Sequence, residues 1–412
     1  MPNRVVVTGV GVISPIGTGK DKFWNALTSG QSGIGQITRF DASEFPTRIA
    51  GEVDDFDPAD YLDFKEVRRM VRFCHFAVAA SGMAFADARL EPETLVAERA
   101  GTIIGSGIGG IQVLESQQAV LVKEGPRRLS PFLVPMMIAN MAAGHTSIRY
   151  GLKGPNMCIV TACATGTHSI GEAFRVIKTG LADVMVAGGS EAAITPLGVG
   201  GFCAAKTLST RNDEPERASR PFDKDRDGFV ISEGCGILLL EEAGQAEARG
   251  ADIIAEIVGY GATADAYHMT TPDLDGSGAS RAMKLALKEA GLKAADIDYI
   301  NAHGTSTAYN DRIETMAIKT VFGKHASEVA ISANKSMIGH LLGAAGGVEG
   351  VATALSVRTG VIPPTINYET PDPDCDLAYT PNKSARKPIR AALSNSFGFG
   401  GQNAVLCFAR YD

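Results

Sequence analysis

The chain has 412 residues, with 39 Lys plus Arg against 46 Asp plus Glu and a formal charge of −7. That length suggests about two to four domain-sized units, with ample chain for a large core. At 45% hydrophobic and 21% charged residues the composition excludes disorder and collagen-like structure, and the acidic balance argues against general nucleic-acid binding.

The seven cysteines are scattered and form no CxxC, which argues against a disulfide framework or a zinc knuckle and suits a reducing cytoplasm. The opening MPNRVVVTGVGVISP reads as a buried strand entering a Gly turn rather than as a signal peptide. No apolar run reaches the roughly 20 residues of a membrane span, so a cytoplasmic protein without membrane insertion is expected.

Taken in chain order, strands are expected at residues 4–8, 102–104, 157–160, 183–186, 254–258, 298–300, 329–331 and 404–408, with longer helical patterns between them. Strands alternating with helices imply α/β layers around buried sheets. Segments 36–65 and 207–227, rich in Asp, Pro and Arg, read as surface excursions. The chain also repeats itself. CATGTHSIGEAFRVIKTG from Cys163 aligns without gaps on GAAGGVEGVATALSVRTG from Gly343, and VVVTGVG near the start resembles IAEIVGYG near residue 254. Two similar halves are therefore expected, roughly 1–251 and 252–412, packed as one unit.

Three stretches could carry chemistry. In TACATGTHSIGEAF, Cys163 follows a β-rich run and precedes a helix whose apolar face is Ile170, Ala173, Phe174 and Ile177. A thiol at a helix start meets free N–H groups and the positive dipole end, which predicts a lowered thiol pKa. An inert buried cysteine is the alternative. His303 in NAHGTSTAYNDRIET and His340 in ISANKSMIGHLLGAAGGVEG both lie in Gly-rich loops after strand ends, and His340 opens the second copy of the repeat. SNSFGFGGQN, residues 394–403, reads as a flexible glycine loop around Phe397 and Phe399, whose N–H could join that of Cys163 in an oxyanion hole.

Two patterns are decoys. Gly105-Ser-Gly107-Ile-Gly-Gly110 fits GxGxxG but lacks the acidic residue about 20 positions on that a dinucleotide site needs. Asp223-Lys-Asp225-Arg-Asp227-Gly228 imitates a calcium loop, but Glu233 falls one position early.

Together TACATGTHSIGEAF, HGTST, KSMIGHLLGAAG and NSFGFGGQN resemble the β-ketoacyl-[acyl-carrier-protein] synthases, most closely the elongating synthase II type. The resemblance covers nearly the whole chain and implies a thiolase fold: duplicated halves in five αβαβα layers, usually as a homodimer. It implies that Cys163 accepts an acyl chain from the phosphopantetheine of an acyl carrier protein. His303 and His340 then assist decarboxylation of malonyl-carrier protein and condensation, with Lys335 and Glu349 as polar support. Backbone N–H groups of Cys163 and Phe399, with Gly398 and Gly400 beside them, match the oxyanion and gating region. Ile108, Phe202 and Phe399 match the acyl pocket, and Thr270, Thr305 and Thr307 the pantetheine contacts. Lys65, Arg68, Arg69, Arg127, Arg128 and Lys206 match the carrier-protein docking patch. Asn301, Ala302, Glu349, Ser394 and Asn395 match a structural monovalent-cation site of some members; no other cofactor is implied. Polyketide-type and nodulation-type ketosynthases and non-catalytic chain-length-factor subunits share the pattern in part. Ala308, Asn334, Ile338 and Gln402 stand where Pro or Thr is common.

Overall fold

Buried runs of Val, Ile, Leu and Ala supply the strands, and Gly- and Ala-rich helices pack closely on them. A computed structural model describes residues 2–412. The first half runs β1 (Val5–Ser14), α1 (Arg72–Ala88), β2 (Ala100–Gly105), α2 (Thr165–Lys178), β3 (Val184–Glu191) and β4 (Gly234–Glu242). The second runs β5 (Ala255–Ala264), α3 (Ser277–Ala290), β6 (Tyr299–Asn301), α4 (Ala308–Phe322), β7 (Ala330–Ser332), α5 (Ala345–Thr359), β8 (Ala391–Gly398) and β9 (Gln402–Ala409).

The strands lie in the order β7-β6-β8-β9-β5-β1-β4-β3-β2, with a two-residue edge strand, Asn156–Met157, beside β2. β1 and β5 pair antiparallel, with Val5 opposite Ile257, and join the two half-sheets. Outward from that seam both halves repeat one pattern. The pairs β3–β4 and β8–β9 are antiparallel, and β2–β3 and β6–β8 are parallel. α1 covers β1 and β4 on one outside, α3 covers β5 and β9 on the other, and α2 packs on α5 between the half-sheets. The expected five layers are present.

Glycines set the layer spacing twice over. A Cβ on Gly9 or Gly11 would lie 2.1 or 1.8 Å from the carbonyls of Ala84 and Ala80 in α1. A Cβ on Gly259 or Gly261 would lie 2.2 or 2.0 Å from those of Ala286 and Ala282 in α3. Only a bare backbone lets each helix sit this close to its strand. This is the physical content of the match between VVVTGVG and the segment near residue 254.

Some expectations fail. Residues 157–160 contribute only Met157 to a strand. β4 and β8 were not anticipated, because GCGILLLEE and AALSNSFG are poor in β-branched residues. Segment 207–227 is not a surface excursion: Arg220, Phe222 and Asp223 are buried. Asp223 accepts from Arg220 Nε at 3.0 Å and from the N–H groups of Glu369 and Thr370 at 2.7 Å each. The acidic turn thus clips the two halves together. In segment 36–65 the run 47–53 is buried apart from half-buried Arg48, and the residues on either side of it are mostly exposed.

Candidate active site

The two central helices begin alike. A 3₁₀ turn, Ala162–Ala164, precedes α2, and another, Leu342–Ala344, precedes α5. Each turn opens on a left-handed residue, Ala162 at φ 50° and Leu342 at φ 49°. Holding a non-glycine there costs roughly 1–2 kcal/mol, so the surrounding packing must enforce both turns. The helices cross at glycines: a Cβ on Gly166 would sit 2.5 Å from Gly347 N, and one on Gly346 would sit 2.4 Å from Thr167 N. The crossing brings the two turns together at one cavity of about 480 Å3.

Cys163, His303 and His340 line this cavity, as do Ile108, Phe202, Thr270, Thr305, Thr307, Lys206, Gly398 and Phe399. The Thr305 and Thr307 hydroxyls are 2.9 Å apart. Gly400 lies outside the lining, and its N–H donates to the Met269 carbonyl at 2.8 Å. Lys65, Arg68 and Arg69 are exposed on and at the end of a short helix, Phe64–Arg69, and Arg127 and Arg128 are exposed in the turn Pro126–Arg128. None of these five lines the cavity.

The expected lowering of the Cys163 thiol is reversed. α2 begins at Thr165, so the thiol sits in the preceding turn, partly open to the cavity. Burial pushes it up to about 11, against the pull of the Lys335 ammonium and of the Phe399 and Cys163 N–H groups. Both N–H groups lie near enough to the sulfur to favour its thiolate.

The residues around Phe399 are not a flexible loop. Ser394–Gly398 and Gln402–Asn403 are paired strand, with Gly398 opposite Gln402, and only Phe399, Gly400 and Gly401 make the turn. Gly400 and Gly401 take φ 82° and 70°, which favour glycine.

Both histidines are buried and held well below the ordinary imidazole value, by desolvation first and by the Lys335 charge second. They are therefore neutral. The Leu342 N–H donates to His340 Nδ1 at 3.3 Å, and the Lys335 ammonium faces His303 Nδ1 at 3.4 Å. With both Nδ1 atoms accepting, each ring carries its proton on Nε2. The rings meet edge to face with centroids 5.5 Å apart. Lys335 also donates to the His303 carbonyl at 2.7 Å and to Glu349, whose carboxyl burial raises to about 7.

Two further carboxylates were missed in the sequence. Glu314 accepts from His303 N–H at 2.8 Å and Gly304 N–H at 2.9 Å, fixing the His303 loop. Glu191 accepts from Gly107 N–H at 2.7 Å, Ile108 N–H at 3.2 Å and Gly343 N–H at 3.0 Å. Two amides of the GxGxxG segment are thereby taken by the protein's own carboxylate, and those of Gly109 and Gly110 go to the Ser106 hydroxyl and the Met137 carbonyl. The available signal was a Glu at the end of an apolar strand, VMVAGGSE, and another inside the apolar face of α4.

The residues matched to a cation site carry orphaned oxygens. Asn301 Oδ1, Glu349 Oε2, Ser394 Oγ and Asn395 Oδ1 are buried without a hydrogen-bond partner. The β6–β8 register sets Asn301 beside Ser394, and Asn301 Nδ2 donates to the Glu349 carbonyl at 3.1 Å. An all-oxygen set with one carboxylate fits a hard cation of low charge. Among the described residues no group of three or more His, Cys, Asp or Glu could hold a metal.

Comparison with known proteins agrees with this geometry. Residues 2–246 match the family model "Beta-ketoacyl synthase, N-terminal domain", and residues 254–369 match "Beta-ketoacyl synthase, C-terminal domain". The chain is 57% identical over 408 residues to 3-oxoacyl-[acyl-carrier-protein] synthase 2 of Synechocystis, covering 99% of this chain and 98% of that protein. It is 53% identical to the protein of the same name from Coxiella burnetii, with coverage of 99% and 98%. Among solved structures, a beta-ketoacyl synthase from Burkholderia phymatum superposes with TM-score 0.93 at 36% identity over the whole of both chains. So does a ketosynthase bound to a hexaketide in complex with its type II polyketide acyl-carrier protein, with TM-score 0.93 at 38% identity. The two family models span most of the chain and both named relatives are more than half identical over nearly its whole length, so the chain belongs to the beta-ketoacyl synthase family.

Proposed function

We propose that the protein is a 3-oxoacyl-[acyl-carrier-protein] synthase of fatty-acid elongation, condensing malonyl-carrier protein with an acyl chain held on Cys163. The observation that carries this reading is one cavity lined by Cys163 and by two neutral histidines whose Nδ1 atoms are already engaged. In the first half-reaction the Cys163 sulfur attacks the acyl thioester. The N–H groups of Cys163 and Phe399 hold the oxyanion, and the thiol proton ends on the departing pantetheine sulfur. Malonyl-carrier protein then binds and loses CO2. Its enolate oxygen is held by the Nε2–H groups of His303 and His340. The enolate carbon attacks the thioester, the C–S bond to Cys163 breaks, and the departing thiolate takes up a proton from solvent to regenerate the thiol. Two N–H donors aimed at one developing negative charge suit this step better than a charged imidazolium, which the buried site resists.

The acyl chain lies along Ile108, Phe202 and Phe399, and the pantetheine arm along Thr270, Thr305 and Thr307. The acidic carrier protein docks on Lys65, Arg68, Arg69, Arg127, Arg128 and Lys206, where steering by a local positive surface acts against the net charge of −7. Asn301, Ala302, Glu349, Ser394 and Asn395 hold a monovalent cation that stiffens the His303 strand end. The chain duplicates one unit over 1–251 and 252–412. It forms a homodimer through the open edge at Asn156–Met157, where Met157 and Val160 are 44% and 55% exposed. Seven free cysteines suit a reducing cytoplasm, and among the described residues no helix is long and apolar enough to cross a membrane.

The retained Cys163 and both histidines disfavour a chain-length-factor subunit, and 57% identity to a 3-oxoacyl-[acyl-carrier-protein] synthase 2 against 38% to the polyketide ketosynthase favours the fatty-acid reading. The test is transfer of a labelled acyl group from acyl-carrier protein. Label is expected on Cys163 and absent in Cys163→Ala; label elsewhere, or condensation by Cys163→Ala, overturns the proposal.

A further inference from the structure

Glu191 is fully buried, and among the described residues no cation pairs with it. Its two oxygens instead accept from donors in two distant segments. One is the Ser106–Ile108 loop: the Ser106 hydroxyl at 2.8 Å, Gly107 N–H at 2.7 Å and Ile108 N–H at 3.2 Å. The other is the turn before α5, through Gly343 N–H at 3.0 Å. Ser106 extends the first anchor by accepting from Gly109 N–H at 3.0 Å. A Cβ on Gly107 or on Gly343 would stand 2.8 Å from the same Glu191 oxygen, so glycine at both positions makes room for the carboxylate.

We propose that Glu191 is a positioning residue that fixes the acyl-pocket wall at Ile108 to the turn opposite Cys163, and so sets the acyl-chain selectivity of the cavity. The inference rests on the proposed function, in which Ile108 borders the acyl chain. Every partner is a donor, so an acceptor-only group is required. A glutamine would turn an NH2 toward N–H groups and release part of the wall. The same negative charge faces the Cys163 thiol and opposes its ionisation.

The experiment measures kcat/KM for condensation across a series of acyl-carrier proteins of increasing chain length, with wild type, Glu191→Gln and the milder Ser106→Ala. Acylation of Cys163 in the wild type is the control, whose failure would sink the functional reading rather than this inference. One methylene in a rigid apolar pocket discriminates by roughly tenfold or more, so loosening the wall is expected to cut the preference between best and next-longer chain at least about fivefold in Glu191→Gln, with a smaller change in Ser106→Ala. The pH midpoint of Cys163 alkylation is expected to move down in Glu191→Gln. A chain-length profile of unaltered shape in both variants overturns the proposal, whatever happens to the overall rate. If Glu191→Gln does not fold, Ser106→Ala alone decides it.

Discussion

Replacing Lys335 by methionine probes how one buried charge supports the whole site. Lys335 is 1% exposed, and its ammonium meets Glu349, the His303 carbonyl at 2.7 Å and His303 Nδ1 at 3.4 Å. Methionine fills similar space but donates nothing, so Glu349 is left buried without its counter-charge. Removing one partner of a buried pair costs about 3–5 kcal/mol. An unfolding entropy of about 2.1 cal/mol/K per residue amounts to about 0.9 kcal/mol/K for 412 residues, so the expected fall in Tm is about 3–6 °C. The pH dependence has a definite sign. Burial already raises the Glu349 carboxyl to about 7 while Lys335 opposes the rise. Without Lys335 the carboxyl climbs further and takes up a proton as pH falls. The variant is therefore expected to lose more stability near pH 8.5 than near pH 6. Adding Glu349→Gln removes the stranded charge and should recover about half of the loss. Calorimetric unfolding of all four proteins of the cycle measures this. A Lys335→Met protein with wild-type Tm near pH 8.5, or a double variant no more stable than the single, refutes the reasoning.

Gly398→Ala places a Cβ 2.9 Å from the Thr161 carbonyl and 3.0 Å from Cys163 N, so the nucleophile turn must shift by a few tenths of an ångström. Acyl transfer to Cys163 is expected to slow about tenfold or more in single-turnover assays, and an unchanged rate would show that the turn is not held by this contact. His303 and His340 stay neutral well below pH 6.5, so the acid limb of condensation is expected far under that pH. The unfolded histidines protonate near 6.5 while the native ones do not. Stability should thus fall as pH drops below about 6.5, by up to about 1.4 kcal/mol per pH unit for each, which urea titrations at several pH values would detect. Potassium at a hundred times its Kd should stabilise the protein by about 2.7 kcal/mol over tetramethylammonium at equal ionic strength. Ser394→Ala should shrink that difference, and identical melting in both salts would count against the cation.

Much of the architecture was legible from local pattern. The ungapped match of Cys163–Gly180 with Gly343–Gly360 pointed to two similar halves, and in the structure both copies are helices that begin in the same kind of turn and cross at glycines. Cys163, His303 and His340 could be singled out as polar or reactive groups at element ends, where chain turns expose them to a cavity. β4 and β8 escaped notice because their burial comes from flanking layers and not from β-branched side chains. The protonation states lay outside the sequence altogether. A cysteine before a helix reads as an activated thiol, yet the Cys163 thiol is pushed up to about 11, because desolvation sums over every segment that closes around the sulfur. Glu191 and Glu314 showed in the sequence only as carboxylates in apolar stretches, and their roles were hidden for the same reason. Their partners are backbone N–H groups brought to them by folding, and no one-dimensional pattern records which amides will be left needing an acceptor. The sequence alone determined which groups could react and that they come in two related copies. Tertiary structure alone decided their charge, because that depends on what water each group loses and which distant donor replaces it.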